Sequence, residues 1–144
     1  MGKGNAVRCD LNLKEKFEFV QSESSPPAPR IKVLLYHENL RESISTLATI
    51  DTGFDESLLL SRKLRDAIFK FAYPFDHDSL DAGGMEIPCE RYQLKVKIAG
   101  KWFDTVGYAP VIGDFENLIG RALTNKFNIC LRGPSSIVQL AEKR

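Results

Sequence analysis

An apolar, β-branched run that ends on an acid, a hydroxyl and a glycine leaves few folds open, and this chain has one: Ala48-Thr49-Ile50-Asp51-Thr52-Gly53-Phe54-Asp55. The run reads as a buried strand that delivers the Asp51 carboxylate to the point where a tight turn begins. Gly53 lets the backbone pass close to a neighbour or a ligand, and the Thr52 hydroxyl can bond a facing backbone group. An Asp-Thr-Gly tripeptide alone is also an ordinary strand-to-turn junction, so a second signal is required elsewhere in the chain.

The surrounding pattern is one of short strands. Residues 31–36 form an apolar run, and residues 43–50 follow with Ile44, Leu47, Thr49 and Ile50; both read as half-buried strands. Ser61 is placed to cap a helix carrying Leu64, Ala67, Ile68 and Phe71 inward, with Arg62, Lys63, Arg65 and Lys70 on a solvated face. Pro74 marks the next boundary, residues 76–82 read as a polar loop, and Gly83-Gly84 as a sharp turn. Residues 90–98 alternate through Tyr92, Leu94, Val96 and Ile98, and Ala99-Gly100-Lys101 turns them into residues 102–109, the pattern of a hairpin. A short helix over 121–127 and strands over 128–131 and 137–140 follow. Ahead of all this, residues 13–20 alternate, and Gln21 to Pro29 is too polar and proline-rich to fill a core. Residues 1–30 are therefore expected to be an extension and linker, and residues 31–144 the compact domain.

Composition acts by exclusion. At 144 residues, with 43% hydrophobic and 27% charged, the chain has the length and composition of one globular domain. Twenty basic against nineteen acidic residues leave a net charge of +1, so no strong field draws it to nucleic acid or to an anionic membrane. Three cysteines, Cys9, Cys89 and Cys130, show no Cys-x-x-Cys pair and are expected to be reduced thiols, with Cys130 a small core hydrophobe. The opening Met1-Gly2-Lys3-Gly4-Asn5-Ala6 lacks the apolar stretch of a secretory signal, and no run approaches the ~18 apolar residues of a membrane span. A cytoplasmic protein is expected. Asp76-His77-Asp78 has no second histidine near it and reads as a solvated loop, not as metal ligands. With two histidines and no Gly-x-Ser-x-Gly elbow, Ser-His-Asp catalysis has no support, and neither a metal nor a cofactor is implied.

The second signal is Asn117-Leu118-Ile119-Gly120-Arg121-Ala122-Leu123, two apolar residues and a glycine entering a helix. With Asp51-Thr52-Gly53 ahead of it, in that order and at that spacing, the stretch over residues 31–140 resembles the retropepsin-like aspartic proteases. Ile50-Asp51-Thr52-Gly53-Phe54-Asp55 followed by Leu58-Leu59-Leu60 is most similar to small cellular members of that clan. The resemblance implies an all-β subunit, a closed β-barrel or sandwich with one or two short helices, and a homodimer whose active site lies on the twofold axis. Hydrolysis in that class uses two aspartates that share one proton, because like charges about 3 Å apart cannot both ionise. One carboxylate acts as base on a water while its protonated neighbour donates to the scissile carbonyl. A chain with a single Asp-Thr-Gly then needs a second copy, and the site becomes the interface.

By the same resemblance Asp51 is the catalytic residue, Thr52 locks against its twin across the axis, and Gly53 meets substrate backbone. Asp55 and Arg121 match an acidic and a basic position that pair beneath the site, where the acidic member also touches bound peptide. Gly120 packs below the aspartates. Ala82-Gly83-Gly84-Met85 falls where the family has its flap, a mobile hairpin that closes over an extended substrate. Phe54 stands where retroviral members usually carry Ala, so its ring is expected to crowd the cleft or reshape its selectivity. Residues 137–140 are expected to supply a strand to an intersubunit sheet. The activity implied is that of an aspartic endopeptidase on peptides or proteins, at acidic to mildly acidic pH because the pair must hold one proton. The alternative, for which Phe54 is the support, is a dimeric peptide-binding or assembly module without turnover.

Overall fold

Alternation builds the barrel. Along β4 (Arg30–Tyr36), Ile31, Val33 and Leu35 are each 1% exposed while Lys32 faces solvent. The computed structural model describes residues 15–18, 20–22, 25–70, 72–133 and 135–142; Met1 to Ala6, Cys9 and Phe71 lie outside them. Ahead of β4 come β1 (Glu15–Glu18), β2 (Val20–Ser22) and β3 (Ser25–Ala28). After it, β5 (Ile44–Ile50) pairs antiparallel with β4. It is joined by β6 (Leu58–Leu59), β7 (Asp76–Ala82), β8 (Met85–Ile98), β9 (Lys101–Pro110) and β10 (Leu118–Ile119) in one sheet of order β4-β5-β10-β6-β9-β8-β7. Because β4 also pairs with β8, Leu34 opposite Lys97 through Tyr36 opposite Lys95, the strands from β4 to β8 close on themselves. Of the seven strands in this sheet, β7 stands outside the ring.

The second half of β8 is a stave of this barrel, with the predicted alternation intact: Tyr92, Leu94, Val96 and Ile98 are all buried. They meet Leu58, Leu60, Ile119 and Leu123 in the main core. Helix α1 (Arg62–Phe69) begins as expected at Ser61, whose hydroxyl oxygen accepts from the Leu64 N–H at 3.2 Å. It lays Leu64, Ile68 and Phe69 on the barrel, and the Phe69 ring stacks on Tyr92 at 4.0 Å. Helix α2 (Arg121–Thr124) is shorter than expected and is followed by β11 (Phe127–Arg132) and β12 (Ile137–Glu142).

Three expectations are corrected, and the extension carries a pairing of its own. Residues 76–82 are the strand β7, not a loop: both faces of β7 are largely solvated, so no apolar alternation marks it, and its backbone groups are satisfied by β8. Residues 137–140 pair within their own chain on both sides, with β1 and with β11. Within the expected linker, β2 and β3 form a short hairpin. Cys130 is disulfide-bonded, while Cys89 is a free, buried thiol. Among the described residues no helix is long and apolar enough to cross a membrane.

Candidate active site

Asp51 is the first residue beyond β5, and its position is fixed by β10. That two-residue strand lies between two partners, parallel to β5 (Ile119 opposite Ile50) and antiparallel to β6 (Ile119 opposite Leu58). The segment joining β5 to β6 must therefore travel around the end of β10. Its backbone does so in contact: the Asp51 N–H donates to the Ile119 carbonyl at 3.0 Å, Gly120 N–H to Ser57 at 2.9 Å, and Arg121 N–H to Phe54 at 2.7 Å. Gly120 sits inside this loop. A Cβ there would lie 2.0 Å from the Glu56 carbonyl oxygen and 2.6 Å from that of Phe54. Its φ of −95° and ψ of 179° suit any residue, so lack of space is what requires glycine.

The turn orients the acid. Gly53 N–H donates to Asp51 Oδ1 at 2.9 Å, and a Cβ on Gly53 would stand 3.2 Å from the same oxygen. Asp51 is half-buried, while Thr52 and Gly53 are exposed beside it. No other side chain or N–H among the described residues hydrogen-bonds to the Asp51 carboxylate, and the Thr52 hydroxyl has no partner among them either.

Facing this loop is the β7–β8 hairpin. Its turn needs both glycines, since Gly83 and Gly84 adopt φ of +63° and +85°, and Asp81 Oδ1 accepts the Gly84 N–H at 2.9 Å. Between hairpin and loop runs an open groove of about 530 Å³, with Gly53, Phe54, Asp55 and Glu56 on one side and Leu80, Asp81, Gly83 and Gly84 on the other. Two segments far apart in sequence, the Asp-Thr-Gly turn and the Gly-Gly turn, thus share one groove. Ala82 and the exposed Met85 flank the tip without lining it.

Phe54 lines the groove, but its ring is taken up by a second small core. It meets Tyr108 edge-on at 6.5 Å and packs on the cluster of Leu59, Cys89 and Tyr108, which Leu80 and Ile87 of the hairpin also cover. That burial pushes the Cys89 thiol up to about 11, which leaves it a packing residue and not a nucleophile. Asp55 and Arg121 line a different cleft, of about 670 Å³, together with Lys101, Phe103 and Lys126. Among the described residues no ion pair joins them.

Several residues around the site carried no signal of their role. Asn117, inside the second motif, accepts the Ser61 N–H through Oδ1 at 2.8 Å and donates through Nδ2 to Thr46 Oγ1 at 3.2 Å, tying the start of α1 to β5. Arg91 on β8 forms a two-pronged ion pair with Asp76 and donates to the Tyr108 hydroxyl at 3.3 Å. The guanidinium hydrogen bonds hold the Asp76 carboxyl below the usual range. Cross-strand register reveals that pair: once residues 76–82 are a strand, Asp76 falls directly opposite Arg91.

No family model and no curated protein matches this chain. Solved structures do. The EIAV protease in complex with the inhibitor HBY-793 aligns with a TM-score of 0.56 at 17% identity, over 74% of this chain and 92% of that one. A retropepsin-like aspartic protease from Rickettsia conorii aligns with a TM-score of 0.58 at 17% identity, over 88% of this chain and 89% of that one. The chain has a retropepsin-like fold.

Proposed function

We propose that this chain is one subunit of a homodimeric aspartic endopeptidase in which Asp51 of two copies, sharing a proton across a twofold axis, activates the water that hydrolyses a peptide bond. The observation that carries this reading is the interlock of the Asp51 loop around Gly120, with Gly53 to Glu56 of that loop lining a groove beneath a glycine-tipped hairpin and no second acid hydrogen-bonded to Asp51 among the described residues. The exposed Thr52 hydroxyl, without a partner among the described residues, suits a reciprocal contact with its twin. Gly53 and Asp55 would meet the backbone of an extended peptide, Phe54 would shape its side-chain pocket, and Ala82-Gly83-Gly84-Met85 would close over it. Gly120 and Arg121 support the floor. The catalytic unit is residues 31–144, and residues 1–30 are an extension that contributes β1 to the terminal sheet. The substrate is a peptide or protein.

Activity is expected at acidic to mildly acidic pH, where the pair holds one proton. The test is Asp51→Asn, followed by digestion of a peptide library and by mass in solution. Cleavage should fall by at least about 10²–10⁴-fold with the dimer and its unfolding midpoint retained. Unchanged cleavage, a monomeric active species, or a wild-type dimer that holds peptide without cutting it would refute the reading.

A further inference from the structure

The hairpin that faces the Asp51 loop across the groove leaves the barrel at one definable place. From Cys89 onward β8 pairs with β9, whereas Met85 to Ile87 pair only with β7 and Pro88 keeps one further tie, its carbonyl accepting the Val111 N–H at 3.0 Å. Arg91 lies just inside that departure point, in a row that crosses three strands: opposite Asp76, the first residue of β7, and opposite Tyr108 on β9. Its guanidinium fork takes both Asp76 carboxylate oxygens, its Nη1 donates to the Tyr108 hydroxyl at 3.3 Å, and its Cζ lies 5.6 Å from the ring centres of both Phe75 and Tyr108. The Phe75 N–H donates to the Arg91 carbonyl at 2.7 Å, so side chain and backbone hold the same strand. Tyr108 then meets Phe54 edge-on, and Phe54 is the residue that follows the Asp-Thr-Gly turn.

We infer that Arg91 is a positioning residue for the flap, fixing through Asp76 and Tyr108 the height at which the β7–β8 hairpin stands over the Asp51 loop. This rests on the protease reading above. An ion pair this exposed contributes little to stability by itself. What it supplies is geometry, because a planar fork that is paired in its plane with Asp76 and lies near two aromatic rings has little orientational freedom. Without it the base of β7 keeps its backbone ladder with β8 but loses the side-chain link that runs on through Arg91 to Tyr108 of β9. The hairpin would then sample raised positions in which the groove does not close on substrate, while Asp51 and its hydrogen bond to Gly53 stay untouched.

Arg91→Met keeps the length and removes the fork. It should raise KM for a cleaved peptide about tenfold with kcat within about threefold, because a flap contact is lost and the reacting groups are not. Amide hydrogen exchange should speed up at least about tenfold in residues 76–82, with β4 and β5 unchanged. Arg91→Lys, which retains charge but not the planar fork, should fall between the two. Asp76→Asn deletes the pair from the other side and gives the same readout should Arg91→Met fail to fold. Unchanged KM and exchange, or exchange accelerated equally throughout the barrel, would overturn the inference. If the wild-type chain cleaves no peptide the protease reading fails, and the exchange pattern still decides the role of Arg91.

Discussion

Replacing Gly120 by Ala adds one methyl group, and the structure predicts that this is among the most damaging single changes available to the chain. The new Cβ would sit 2.0 Å from the Glu56 carbonyl oxygen, 2.6 Å from that of Phe54 and 2.7 Å from Phe54 Cδ1. Two of the three are backbone atoms, so no rotamer change relieves the overlap, and the loop must retreat by more than ~1 Å to reach van der Waals distance. That retreat breaks the Gly120-to-Ser57 and Arg121-to-Phe54 hydrogen bonds, at 2.9 and 2.7 Å. Two such bonds at ~1 kcal/mol each, added to an overpacking cost of ~1–3 kcal/mol, give about 3–5 kcal/mol. Against a typical total of ~5–15 kcal/mol this is a large share of the stability of a small domain. The control is Gly107→Ala, where the added atom would meet Leu60 Cδ1 at 2.7 Å, the movable end of a side chain. Urea unfolding with an unchanged slope should show the Gly120 variant losing at least about 2 kcal/mol more than the control. Equal losses, or a Gly120→Ala cost below about 1 kcal/mol, would refute the claim that backbone crowding holds the loop around β10.

Two further outcomes follow from residues away from the groove. Ser61→Ala removes the cap of α1 and should cost about 1 kcal/mol in urea unfolding with cleavage per folded molecule unchanged. At Glu90, burial pushes the pKa up, but the hydrogen bonds from Tyr92 and Arg65 outweigh it and hold the carboxyl below its ordinary 4.5. A depressed folded-state pKa gives stability that is present above the ordinary value and is lost as pH falls through the folded one. Wild type should therefore exceed Glu90→Gln by about 1–3 kcal/mol at pH 7, with the gap closing below pH 4.5; a gap that does not change with pH counts against the paired carboxylate.

What the sequence discloses divides along a physical line. Strands with one wet and one dry face announce themselves by period, as β4 does through Ile31, Val33 and Leu35 and β8 through Tyr92 to Ile98. The Asp51 and Gly120 motifs are legible because a strand ending on an acid and a glycine that tolerates no Cβ leave little freedom in residue type. β7 is wet on both faces, so His77, Asp78 and Asp81 look like loop residues, and only its pairing with β8 makes it a strand. Arg91 and Asp76 meet across that same unread pairing, and their partnership was hidden with it. β10 has two residues, too few for any period, and owes its existence to lying between β5 and β6.

The arrangement around Asp51 also bears on why a single chain would be insufficient for the proposed chemistry. The loop backbone is occupied in wrapping Gly120: Asp51 N–H serves Ile119, and the carbonyls of Phe54 and Ser57 receive Arg121 and Gly120. The carboxylate itself is left with one neutral donor, Gly53 N–H, on one oxygen. Such a group can accept a proton from water as a base, but no hydroxyl, imidazole or second carboxyl among the described residues is hydrogen-bonded to it to protonate the scissile carbonyl. General acid and general base must be separate groups with their pKa values pushed apart, and two chemically identical aspartates achieve this by proximity alone. In the proposed dimer a twofold axis beside Thr52 would supply the missing acid at no cost in sequence, since the residue that is base in one copy would be acid in the other.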